Sequence, residues 1–279
     1  MVWLTFTSAD DTAITITAND HFELQTKVDE EIPKIIAWFH TNRLSINADE
    51  TGYQMFSRKP CDDLHVKINS SNITRHSCIQ YLGVLIDEDM TWKSHINAIS
   101  SKISRNIGII GKSRYFLSTC ELLLLYNSLI LPYLNYCAVV WGSTYHSKLD
   151  KIIKLQKRVI RIVDKKPYLY HTNELFIKHR VLKFLDIVDE QCIYIMLGFL
   201  NHSLPAPLSD MFQLHQQGGL SVRQHFQIPF SDINYRMFSL PFIAPKAWNK
   251  IICSHFHRIE DVPRNKIIFK KKTHQAIHY

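Results

Sequence analysis

Two adjacent acids, Asp10 and Asp11, are the residues of this chain best placed to do chemistry. They stand in Phe6-Thr7-Ser8-Ala9-Asp10-Asp11-Thr12-Ala13, with Val2, Leu4 and Phe6 before them and Ile14 and Ile16 after. Apolar and β-branched residues alternating at period 2 on both sides predict strand, turn, strand, with the acids at the tip. Carboxylates presented this way suit a hard cation such as Mg2+, which takes one or two carboxylates plus substrate phosphates. That is the logic of two-metal phosphoryl transfer, which calls for a further carboxylate from a strand well upstream; no such strand precedes the hairpin here. The plainer alternative is a solvated hairpin tip, since aspartate is a common turn residue.

A second pattern concerns polyanions. Lys151, Lys154, Arg158, Arg161 and Lys165 recur in steps of three, four, three and four, with Leu149, Ile152, Ile153, Val159, Ile160 and Val163 opposite. This spacing predicts an amphipathic helix over about 146–163 that docks by one face and shows a row of cations on the other. Such a row can contact phosphates without reading sequence, or it can be a solvated face.

The elements that position these residues read as α+β. The first ninety residues mix strand candidates (52–56, 64–68 and 79–86) with one helix over 22–45, whose apolar positions run from Phe22 to Phe39. From Asp89 onward the pattern is helical: 91–112, then from Ser118-Thr119 to about Leu131 ahead of Pro132, then 146–163 and 180–200. The tail beyond Leu204-Pro205-Ala206-Pro207 is less regular and closes on Lys270-Lys271-Lys272.

Composition narrows the function classes. Residues 1–60 carry a net charge of −4 and the remaining 219 a net +12, giving +8 over 279 residues. An acidic head and a basic body suit an enzyme that gathers metal at one end and a polyanion along the other. With 8 glycines there is neither a P-loop nor a dinucleotide fingerprint. The 6 cysteines form no C-x-x-C pair, so neither a zinc module nor a disulfide framework is indicated, and His255-Phe256-His257 is too slight for a metal site. There is no signal-peptide pattern. Leu122 to Trp141 runs 20 residues without a charge, yet its Asn127, Pro132 and Asn135 predict a buried, proline-interrupted helix pair rather than a membrane span.

Together the motifs resemble one family. The hairpin Phe6 to Ile14 is similar to the aromatic-Ala-Asp-Asp catalytic hairpin of the reverse transcriptases of non-LTR retrotransposons, particularly the jockey-like branch. Ile36-Ala37-Trp38-Phe39-His40-Thr41-Asn42-Arg43-Leu44-Ser45-Ile46-Asn47 resembles the palm helix and turn that follow it. Tyr81 to Asp87 and Trp92 to Ile96 resemble the passage from palm to thumb. Tyr126 to Cys137, Trp141-Gly142-Ser143-Thr144, Leu155 to Ile162 and Ala244 to Asn249 extend the likeness nearly to the end.

The resemblance implies the end of a right-hand polymerase palm over 1–88, a helical thumb-like region over 89–203 and a C-terminal extension over 204–279. It implies RNA-directed DNA synthesis by two-metal nucleotidyl transfer, with Asp10 and Asp11 as catalytic, Mg2+-binding residues and an RNA template with DNA primer as partner. It also implies a nuclear or cytoplasmic setting and a link to upstream polyprotein segments. The basic stripe as a backbone contact is read from spacing alone. Two departures weigh against autonomous activity. The fingers and the strand bearing the partner aspartate have no counterpart here. Glu50 also stands where the family pattern puts a lysine before Thr51, reversing the charge beside a polyphosphate. The expected product is therefore a truncated polymerase inactive alone, or a non-catalytic nucleic-acid-binding module derived from it.

Overall fold

The apolar periodicities resolve into defined elements in the computed structural model, which describes residues 4–8, 11–57, 60–215, 225–231, 234–252 and 262–263. Strands β1 (Leu4–Ser8) and β2 (Asp11–Thr15) lead into helix α1 (His21–Thr41), followed by β3 (Gly52–Tyr53), β4 (Lys67–Ile68), β5 (Ser71–Asn72), β6 (Thr74–Arg75), β7 (Cys78–Tyr81) and β8 (Val84–Asp87). Helices then take over: α2 (Lys93–Ser113), α3 (Thr119–Leu129), α4 (Leu131–Asn135), α5 (Ala138–Trp141), α6 (His146–Val163), α7 (Asn173–Lys178) and α8 (Phe184–Leu200). The last are α9 (Ala206–Ser209), α10 (Asn234–Met237) and α11 (Leu240–Ile251). The fold is α+β, with strands early and helices late. It divides into two compact units, Met1–His95 and Ile96–Tyr279.

In the first unit the strands pair two by two: β1 with β2, β4 with β5 and β7 with β8 antiparallel, β3 with β6 parallel. Val28 of α1 packs with Met55, Leu64, Val66, Ile68 and Ile73. Side chains hold what these short ladders cannot. The Tyr53 hydroxyl donates to Leu64 C=O at 3.0 Å and accepts from Leu64 N–H at 2.9 Å. Arg75 forks onto both Glu88 carboxylate oxygens at 2.8 and 3.0 Å and donates to Asp63 at 3.0 Å. The strands are accordingly shorter than alternation suggests. The run 79–86, expected as one strand, is instead a hairpin in which Leu82 and Gly83 turn at φ 45 and 77. Two positive φ values give the twist a two-residue hairpin needs, and a leucine there is no turn signal.

In the second unit Ile96, Ile99, Ile103, Ile107 and Ile110 line the buried face of α2. Ser118 starts α3 by accepting Glu121 N–H while the Glu121 carboxylate takes Ser118 N–H, a reciprocal capping box. Leu122, Tyr126, Ile130, Leu134 and Ala138 then bury at every fourth residue. The uncharged stretch is thus three helices broken near Pro132 and Cys137. Among the described residues no helix is long and apolar enough to cross a membrane. Trp141 stacks on Phe184 of α8 at 4.9 Å between centroids. Gly142 must be glycine, since a Cβ there would lie 2.5 Å from Ala138 O and 2.6 Å from Val188 Cγ2. Helix α11 lies along α8.

Helix α8 begins at Phe184, not 180, because the short α7 ends first. Four helices close alike. In α1, α6, α7 and α8 the residue after the cap (Arg43, Lys165, Arg180 and His202) adopts φ 57, 55, 52 and 53. Its N–H and the next one reach back to the last helical carbonyls, a Schellman closure that usually employs glycine. A basic side chain there gains from the negative end of the helix dipole.

Candidate functional site

The acid pair falls at the β1–β2 hairpin. Asp11 opens β2 directly across from Ser8 and is exposed. Asp10 lies outside the described residues, as do Cys253, His255, His257 and Lys270-Lys271-Lys272. Among the described residues no group of three or more His, Cys, Asp or Glu side chains gathers. Glu50 sits exposed in a turn ordered by Asn47, whose carbonyl accepts the Thr51 hydroxyl at 2.6 Å.

The cations are better defined. Helix α6 buries Leu149, Ile152, Gln156, Val159, Ile160 and Val163 and spans ~27 Å at 1.5 Å per residue. Ile153 is half-buried at the edge of that face. Opposite, Lys151, Lys154 and Arg158 are exposed, Arg161 is partly covered, and Lys165 follows in the closing turn. Lys151 Nζ donates to Asn97 Oδ1 at 3.2 Å. Arg161 Nε donates to Tyr170 C=O at 2.8 Å, with its guanidinium over the Tyr168 ring at 5.8 Å.

The inward face anchors the row. Gln156 is buried and fully engaged: its amide donates to the Tyr126 hydroxyl at 3.0 Å and Leu182 C=O at 2.9 Å, while its oxygen takes Phe184 N–H at 2.9 Å. Burial pushes the Tyr126 hydroxyl up to about 12. At the helix end, burial alone would raise the Asp164 carboxyl. Lys178 at 2.6 Å and His179 at 2.9 Å outweigh it and hold the carboxyl below its ordinary value. Asp150 Oδ1 lies 3.4 Å from His146 Nδ1, an ion pair only when that imidazole is protonated. Asp164 is thus paired with Lys178 and His179, and Lys151, Lys154 and Arg158 stand exposed on the outward face.

Comparison with known proteins places the chain. It is 26% identical to the RNA-directed DNA polymerase from mobile element jockey of Drosophila melanogaster over 173 residues, 61% of this chain. It is 26% identical to the jockey polymerase of Drosophila funebris over 187 residues, 66% of this chain. The chain is related to the RNA-directed DNA polymerases of jockey-like, non-LTR mobile elements. It is also 22% identical over 142 residues to a Pol polyprotein from the type-1 element R1 2 of Nasonia vitripennis. The chain spans about a fifth of the length of the jockey relatives, 19% and 20% of them. No family model and no solved structure matches it.

For a jockey-like relative the structure adds cations that the spacing argument left out. Lys148 and Lys157 are also exposed on α6, and Lys166 and Arg114 each lie over a tyrosine ring, at 5.2 Å (Tyr170) and 5.3 Å (Tyr115). The first two were readable from a helical projection. The other two depend on loops whose course no periodicity gives.

Proposed function

We propose that this chain is the end-of-palm and thumb portion of a jockey-like RNA-directed DNA polymerase, and that it grips an RNA–DNA duplex along α6. One observation carries this reading: Lys151, Lys154 and Arg158 stand exposed in a row on the helix face opposite a buried anchor, while the buried Asp164 is paired with Lys178 and His179. A row of this kind binds phosphates by releasing counterions, independent of sequence. Kinship with the polymerases supports template and primer as the polyanion.

Asp10 and Asp11 are the proposed catalytic-hairpin carboxylates. A divalent ion held there would supply electrostatic activation of phosphoryl transfer. Glu50 would repel the triphosphate, so the 279-residue chain binds without extending. The test pairs fluorescence anisotropy on a blunt RNA–DNA hybrid with primer extension in Mg2+. Low-salt binding with no incorporation above background is expected. Extension abolished by Asp10→Ala would overturn the inactivity, and absence of low-salt binding would overturn the reading as a whole.

A further inference from the structure

We propose that the exposed rings of Tyr115, Phe116 and Tyr168, set beside Arg114, Arg161 and Lys165, form a stacking platform for unpaired bases of a single-stranded nucleic acid. The inference rests on the duplex reading above and adds a second kind of recognition at one end of the same helix.

Placement comes first. Tyr115 and Phe116 lie in the turn between α2 and α3, and Tyr168 in the loop after α6. The two loops belong to one unit and follow helix ends that lie side by side: a Cβ on Gly111 of α2 would lie 3.9 Å from Ile162 Cδ1 of α6. Lys165 also sits near enough to Glu121, at the start of α3, to help lower that carboxyl after its Ser118 hydrogen bonds.

Both loops are ordered by their own hydrogen bonds. Phe116 and Leu117 N–H both donate to Ser113 C=O at 3.0 Å. Lys166 N–H reaches Arg161 C=O at 2.8 Å, Tyr170 N–H reaches Pro167 C=O at 3.1 Å, and Arg161 Nε ties the loop back through Tyr170 C=O. On these supports Tyr115 is 77%, Phe116 88% and Tyr168 75% exposed. Displaying rings that would be well buried in a core forgoes much of the stabilisation such burial brings, so a cluster of them marks a binding surface.

The charge around the rings selects the occupant. Arg114 lies over Tyr115 at 5.3 Å and Arg161 over Tyr168 at 5.8 Å. With about three quarters of each tyrosine exposed, ring surface remains for a base to stack. The nearby carboxylates are occupied, Glu121 in its capping box and Asp164 beneath Lys178 and His179. A cationic surface with open aromatic rings is what sequence-independent single-strand binding needs: phosphates on the cations, bases on the rings. Arg161 and Lys165 belong both to the row and to the platform, so a strand leaving the duplex passes from one to the other.

The test uses the full chain and fluorescein-labelled probes: a blunt RNA–DNA hybrid, and the same hybrid with roughly ten unpaired nucleotides on one strand. The extension is expected to tighten wild-type binding about tenfold or more, since each stacked base contributes roughly five- to 150-fold. In the triple variant Tyr115→Ala, Phe116→Ala, Tyr168→Ala that gain disappears while blunt-hybrid affinity stays within about twofold. Tyr115→Phe with Tyr168→Phe keeps the gain, because stacking needs the ring and not the hydroxyl. The platform is refuted if the blunt hybrid binds but the extension adds nothing, or if the triple variant keeps the gain. It is likewise refuted if the substitutions change only self-association in sedimentation. Failure of both probes on the wild type would instead strike the duplex reading.

Discussion

Gln156 shows how a single buried polar residue can set the position of a surface charge row. It stands midway along α6, and its three hydrogen bonds join α6 to α3, to the segment before α8 and to the first turn of α8. Gln156→Ala leaves the buried Phe184 N–H and Leu182 C=O without that partner. The expected loss is about 2–5 kcal/mol, read as a lower urea midpoint at unchanged m-value. Tyr126 gives the same site a pH signature. Its ordinary value is 10.0, and burial pushes it up to about 12, with the Gln156 bond pulling slightly the other way. The neutral form is favoured in the folded state, so this contribution is whole below pH 10 and is lost as pH rises toward 12. Burial also pushes Cys192 from 9.0 to about 12, opening the loss near pH 9. Urea midpoints should therefore fall between pH 9 and 12, and Tyr126→Phe should flatten the part of that fall above pH 10.

Among the elements, the end of α6 sets stability against charge. Lys165 sits at φ 55, a conformation that glycine adopts without steric cost. Lys165→Gly is expected to raise stability by about 1 kcal/mol, measured by thermal melting, and to weaken RNA–DNA binding at low salt. A variant that melts higher and binds as tightly as wild type would show that this lysine contacts no phosphate. Helices of this kind were legible in the sequence. Spacing gave α2 and α6 to within about two residues, and Ser118-Thr119 announced the start of α3. The strands were less legible. Leu82 hid the turn between β7 and β8, and β3 to β6 are two residues each, too short for alternation to register. Their geometry depends on Tyr53, Gln25 and Arg75, whose partners lie 11 to 40 residues away.

For the whole molecule, charge and kinship point the same way. A net −4 over the first sixty residues and +12 over the rest is a distribution, not a site, and α6 is where the structure makes part of it a surface. The cation row could be read from sequence because helical spacing is local. The exposed rings of Tyr115, Phe116 and Tyr168 could not, because their display depends on the course of two loops after neighbouring helix ends. Asp10 and Asp11 could be read only as a motif. The most direct test of the account is the salt dependence of binding to a blunt RNA–DNA hybrid, for the wild type and for Lys154→Ala with Arg158→Ala. If both side chains neutralise phosphates, the slope of log affinity against log salt becomes shallower by about 2 in the double variant. Identical slopes in the two proteins, or binding indifferent to salt, would contradict the account.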